Sequence, residues 1–144
     1  MSRFSFPDAT PNLFKPMLAL ATALGDNAKV PVLLRHLIEC RVSQINQCSY
    51  CLRMHSDSFA KDGGDQTKLT MLAVWRAAKD FDDAERAALD WAECLTGIES
   101  QERIAQSHRQ LVAHFETDAI SELTCIISTM NAWNRLGIAQ HALA

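Results

Sequence analysis

The chain has no apolar run long enough to cross a bilayer. The longest nearly continuous one, Met17 to Leu24, falls far short of the ~20 residues a spanning helix needs. Lys15 before it and Ala21-Thr22-Ala23 inside it imitate a secretory leader, but Pro7, Asp8 and Pro11 break the front of such a segment. There is no basic block: 14 Lys and Arg against 17 Asp and Glu give a net charge of -3, and no aromatics interleave with the arginines. That composition argues against a nucleic-acid partner. The period-two alternation of β-branched and aromatic residues is missing, as are repeats, low-complexity tracts and linkers long enough to divide domains. The cysteines number five, odd and without framework spacing, which is not how small secreted domains are stapled. The expectation is one cytoplasmic domain over 1–144, away from membranes. A chain of this length buries roughly 70% of its unfolded surface, so it needs neither a metal nor a disulfide staple to fold.

What is present is helix. Asn12 is expected to cap a helix running to about Leu24, with Gly25 ending it, and Pro31 suits the first turn of the next, reaching about Ile45. Asn46 offers a cap for a helix from about Cys48 to Ala60, which Gly63-Gly64 stops. Further helices are expected from Gln66 to Ala78, Asp83 to Leu95, Gln101 to His114 and Asp118 to His141, with a bend near Gly137. Asp82 or Asp83 and Thr117 are the expected caps. The sum is an all-α bundle.

One run carries more chemistry than the rest: Cys48-Ser49-Tyr50-Cys51-Leu52-Arg53-Met54-His55, a Cys-x-x-Cys-x-x-x-His pattern. At 3.6 residues per turn, positions 48, 51 and 55 fall within an arc of roughly 60°, so two sulfurs and an imidazole share one helix face. A helix N-terminus and a neighbouring imidazole both favour the thiolate, and a second cysteine three residues away can capture the oxidised first one. The run therefore points to thiol redox chemistry. Covalent haem attachment needs the histidine directly after the second cysteine. Zinc would need a fourth ligand from elsewhere, and one helix face crowds three ligands awkwardly for a tetrahedron. Thioredoxin-like proteins place Cys-x-x-Cys after a strand, and the chain shows no such α/β pattern. No cofactor or metal is expected.

The remaining candidates read as structure. Cys40, Cys94 and Cys125 sit among helical apolar residues and are expected to be small buried hydrophobes. His108, His114 and His141 lack partners at useful spacing and read as surface or helix-end histidines. Trp75, Trp91 and Trp133, with Phe59, Phe81 and Phe115, read as core or subunit interface. Asn131 and Asn134 read as packing polar groups. Glu39 has two readings, a solvated charge beside Arg35 or Arg41, or a group turned with His36 and Ser43 toward the thiols.

The run Arg41-Val-Ser-Gln-Ile-Asn-Gln-Cys-Ser-Tyr-Cys-Leu-Arg-Met-His55 resembles the core signature of the alkylhydroperoxidase D-like proteins, part of the carboxymuconolactone decarboxylase superfamily. Asn131-Ala-Trp-Asn-Arg135 is similar to that family's C-terminal motif, so the resemblance covers most of the chain. It implies an all-α fold assembling as a homo-oligomer, trimer or hexamer. It also implies a peroxidase acting on an organic hydroperoxide and recharged by an external dithiol or protein reductant. By the same resemblance Cys51 becomes the sulfenic acid, Cys48 resolves it and His55 belongs to a proton relay. The relay's carboxylate normally lies twelve residues before the first cysteine, where this chain has His36. Either Glu39, one turn along, substitutes for it, or His36 takes the role. Gln47 replaces the usual small residue before the first cysteine, and Tyr50 stands where some peroxidase members have a second histidine. Two alternatives stay open: a pathway enzyme like the lactone decarboxylases, and a non-enzymatic oligomer whose disulfide senses redox state.

Overall fold

In the computed structural model, which describes residues 2–26 and 28–141, the described residues form eight α-helices and no strand. In chain order these are α1 (Phe6–Ala9), α2 (Pro11–Asp26), α3 (Val32–Ile45), α4 (Ser49–Lys61), α5 (Gln66–Met71), α6 (Asp83–Gly97), α7 (Gln101–Leu111) and α8 (Thr117–Gln140). α3 is central, packed against α4, α6 and α8. Its Leu37 and Ile38 are sealed with Leu89 of α6 and Leu123, Ile126 and Ile127 of α8, all at most 1% exposed. Burial of each such side chain favours folding by roughly 1.5–3 kcal/mol before chain entropy is set against it.

The helix ends follow local chemistry. Asp82 caps α6 through a full capping box with Glu85. Gly63 takes φ +88 after α4, and Gly64 lies so close to the Phe59 ring that a Cβ there would collide with it. Several expectations are corrected. Pro11, not Asn12, opens α2, and Gly25 is inside it. Asn46 closes α3, leaving Cys48 to cap α4. Glu116 precedes α8 in place of Thr117 and makes no side-chain cap. α5 is cut to six residues, then tightens into a single 3₁₀ turn at Leu72–Val74. The four-residue α1 had no periodic signal to betray it.

α2 departs from the rest. None of its 16 residues is buried, although it is mostly apolar, and Leu13, Leu18 and Leu20 are exposed. It is tied to the bundle by an aromatic chain in which Phe14 meets Phe6 edge-on at 5.7 Å and Trp133 of α8 at 6.1 Å. No described helix is long and apolar enough to cross a membrane.

Candidate active site

The cysteines sit where α3 hands over to α4. Gln47 bridges the two helices at φ 58, a left-handed conformation in which a residue with a Cβ is strained. Cys48 then caps α4, its sulfur accepting from the Cys51 amide at 3.4 Å, and the two cysteines are joined as a disulfide with their Cα atoms 5.3 Å apart. Both are almost wholly buried. A Cβ on Gly137 of α8 would stand 3.2 Å from each sulfur, so glycine is what lets α8 close over the pair.

A ladder of amides and hydroxyls holds the handover in place. Asn46 donates to Asn131 at 2.9 Å and to Asn134 at 3.0 Å, and Asn134 donates to the buried Ser43 at 3.0 Å. Ser43 donates in turn to the Glu39 carbonyl at 2.7 Å, and Asn131 donates to Thr96 at 3.1 Å. Asn131 and Asn134 are thus packing polar groups, as expected, and what they pack is the segment that carries the first cysteine.

Glu39 is buried rather than solvated. Its Oε2 lies 2.8 Å from His55 Nδ1 and 3.2 Å from His36 Nδ1, while Oε1 accepts from Arg35 Nε at 2.9 Å. His36 Nε2 reaches Asp62 at 2.9 Å. Burial pushes the Glu39 carboxyl up, but hydrogen bonds from His36 and His55, with Arg35 behind them, outweigh it and hold the group well below the usual carboxylate range. The hydrogen bond to Glu39 raises the His36 imidazole, with burial opposing and Asp62 assisting. The structure therefore brings His36, Glu39 and His55 into one cluster, with Glu39 between the two imidazoles.

A cavity of about 380 Å³ opens above this cluster, and Cys51, His55 and Glu39 all line it while Cys48 does not. Its walls are mostly apolar: Phe6, Phe14, Leu18, Met54, Met130 and Trp133. Tyr50 and His141 stack beside it with ring centroids 4.5 Å apart.

The sequence profile of the carboxymuconolactone decarboxylase family matches residues 11–93. The chain belongs to that family. It is 32% identical over 105 residues to the uncharacterized protein YdfG of Bacillus subtilis, spanning 73% of this chain and 71% of that one. A crystal structure of an Agrobacterium tumefaciens protein of unknown function, described as a candidate antioxidant defence protein AhpD, superposes with a TM-score of 0.90 at 29% identity, covering 100% of both chains. An uncharacterized peroxidase-related protein from Silicibacter sp. TM1040 matches with a TM-score of 0.76 at 26% identity, over 89% of this chain and 70% of that one. The alkylhydroperoxidase D-like resemblance and the all-α fold are thereby shown.

In this chain α8 lies beyond the matched residues 11–93, and the sequence pattern said least there. His141 is not a bare helix-end histidine but a cavity residue stacked on Tyr50, and Gly137 lies inside α8 with its Cα face packed against both sulfurs. Trp133 and Gly137 of α8 and His141 just past its end recur at four-residue spacing, and that periodicity was the available signal. Cys125 is exposed, against expectation, while Cys40 and Cys94 are buried. His108 and His114 are exposed, and Trp75, Trp91, Phe59 and Phe81 are core.

Proposed function

We propose that the protein reduces organic hydroperoxides through a dithiol–disulfide cycle at Cys51 and Cys48. The observation that carries this reading is the convergence of Cys51, His55 and Glu39 on the floor of one apolar cavity. In the reduced enzyme the Cys51 thiolate attacks the terminal oxygen of the hydroperoxide. An S–O bond forms, the O–O bond breaks, and the alkoxide takes a proton to leave as alcohol. The Cys48 thiolate then attacks the Cys51 sulfenic acid, an S–S bond forms, the S–O bond breaks, and the hydroxide leaves as water with a proton from His55. A dithiol, small or carried by a protein, reopens it by exchange and takes up the oxidation.

His55 is the proton carrier in this scheme. Its Nδ1 is held by Glu39 at 2.8 Å, which fixes the ring and leaves Nε2 for the reacting atoms. Glu39 is the relay carboxylate, and His36, anchored by Asp62, is a positioning residue on its far side. The cavity's walls favour an organic over an inorganic peroxide. They also argue against a lactone carboxylate, since Arg35, the one Lys or Arg among the lining residues, is occupied by Glu39.

The exposed apolar surface of α2 supports a homo-oligomer formed through that helix, which sedimentation at micromolar protein tests directly. For the chemistry, reduced protein is mixed with cumene hydroperoxide and a recycling dithiol. Wild type turns over, Cys51→Ser loses activity by more than about a thousandfold, and Cys48→Ser consumes one equivalent and stalls. Equal steady-state rates for wild type and Cys51→Ser would overturn the assignment.

A further inference from the structure

We propose that His36, Glu39 and His55 form a binding site for a divalent transition-metal ion. Their ligand atoms lie within 4.8 Å of one another. Two of the three separations, 3.2 Å and 2.8 Å from Glu39 Oε2 to the Nδ1 atoms of His36 and His55, fall just below the edge of about 3.3 Å that a tetrahedron with metal–ligand bonds near 2.05 Å requires. Only the two imidazoles need to close on each other. Two imidazole nitrogens and a carboxylate oxygen are a donor set that first-row divalent ions accept readily.

The surroundings are arranged as those of a metal site. Asp62 holds His36 by Nε2, which presents Nδ1 as the ligand nitrogen, and Arg35 holds the other oxygen of Glu39, which turns Oε2 toward both rings. With neutral imidazoles, Glu39 and Asp62 against Arg35 leave the cluster one net negative charge for a cation to answer. His36 and Glu39 lie on one face of α3 and His55 on the packed α4, so two helices fix the set. Glu39 and His55 line the cavity, which gives the fourth position to water or another small ligand. This set shares only His55 with the Cys48, Cys51 and His55 trio, and it is intact when the sulfurs are joined.

A metal on Glu39 Oε2 and His55 Nδ1 would replace the contact that holds the relay imidazole and leave Nε2 protonated, so metal and relay exclude each other. That consequence rests on the proposed peroxidase; the binding does not. The test uses tag-free, disulfide-form Cys125→Ser protein and Zn2+ in competition with a chromophoric chelator. One Zn2+ per chain is expected, weakened more than about a hundredfold by His36→Ala and by Glu39→Gln, and roughly tenfold by Asp62→Asn. His36→Asn, which keeps a polar group beside Asp62, weakens it to the same extent as His36→Ala, with helicity checked by circular dichroism. X-ray absorption at the zinc edge is expected to show two imidazoles. Absence of stoichiometric binding, or binding unmoved by both His36 variants, would overturn the site. Reversible inhibition of the reduced enzyme by Zn2+ that is relieved by His36→Asn supports both readings, and inhibition that His36→Asn leaves unchanged is assigned to the free dithiol and counts against the site. Tight binding without inhibition upholds the metal site and removes Glu39 and His55 from the relay.

Discussion

Two buried-carboxylate clusters flank α3, and they differ in the bases that face the acids. Around Glu39 stand two imidazoles, one guanidinium and an open cavity. Around Asp90 and Glu93 of α6 stand guanidiniums and an indole. Arg41 and Trp75 donate to Glu93 Oε1 at 2.9 and 2.8 Å, Arg76 spans both acids at 2.8 Å, and Arg103 grips Asp90. Burial pushes Asp90 up, but Arg103, Ser107 and Arg76 together hold it near the low value of about 2. Guanidinium does not release its proton near neutral pH, so the second cluster can only fasten α3 to α6 and the segment before it. Imidazole does, so the first cluster can pass protons. Under the proposed function, the same acid chemistry serves as a clamp or as a relay according to its partner.

The largest effect that would sharpen this contrast is expected at His55. His55→Asn should slow peroxide consumption by roughly 10²–10⁴-fold, the range typical of losing a proton-transfer group, with unfolding free energy moved far less. The reverse pattern belongs to the clamp. Arg41→Met should cost roughly 1–2 kcal/mol in urea unfolding, because it strips one donor from the part-buried Glu93, while activity stays within about twofold. If Arg41→Met instead abolished turnover in a stable protein, the division of labour would be wrong.

Part of this contrast was readable beforehand. The all-α architecture followed from helical periodicity and missing alternation, and the four-residue spacing of Cys51 and His55 put both on α4 beside the cavity, whereas Cys48 caps that helix and stays out of it. Glu39 and His36 were both in view, but deciding between them required knowing which atom sits between the rings, and that is set by packing of α3 on α4. The cavity was not legible, since its walls bring α1 and α2, near the start of the sequence, against α8, some hundred residues on. Gly137 illustrates the limit: nothing local distinguishes a glycine that bends a helix from one that admits two sulfurs.

The relay cluster should also leave a pH signature in stability. Glu39 is held below its ordinary value of 4.5, so its contribution is present above that pH and fades as pH falls toward the depressed folded value. His36 is raised above 6.5, so its contribution is full below 6.5 and is lost as pH rises through the folded value. The cluster therefore supports the fold best between about 4.5 and 6.5. Replacing His36 with Asn should flatten the alkaline limb of a Tm-against-pH curve, a limb that Arg41→Met should leave unchanged.

A smaller effect is expected at Gly137. Reduction moves the two sulfurs apart, and a Cβ 3.2 Å from both takes some of the room they need. Gly137→Ala should slow reduction by dithiothreitol a fewfold while gaining at most about 1 kcal/mol of helix propensity. Unchanged reduction kinetics would show that α8 yields at this point.

The most direct test sets one carboxylate against the other. Rates of Cys51 oxidation by cumene hydroperoxide would be followed by stopped flow in reduced wild type, Glu39→Gln and Glu93→Gln, with disulfide formation confirmed by mass. The account predicts that Glu39→Gln slows oxidation by about a hundredfold and that Glu93→Gln stays within about twofold. Equal rates for all three, or a larger loss at Glu93, would contradict it.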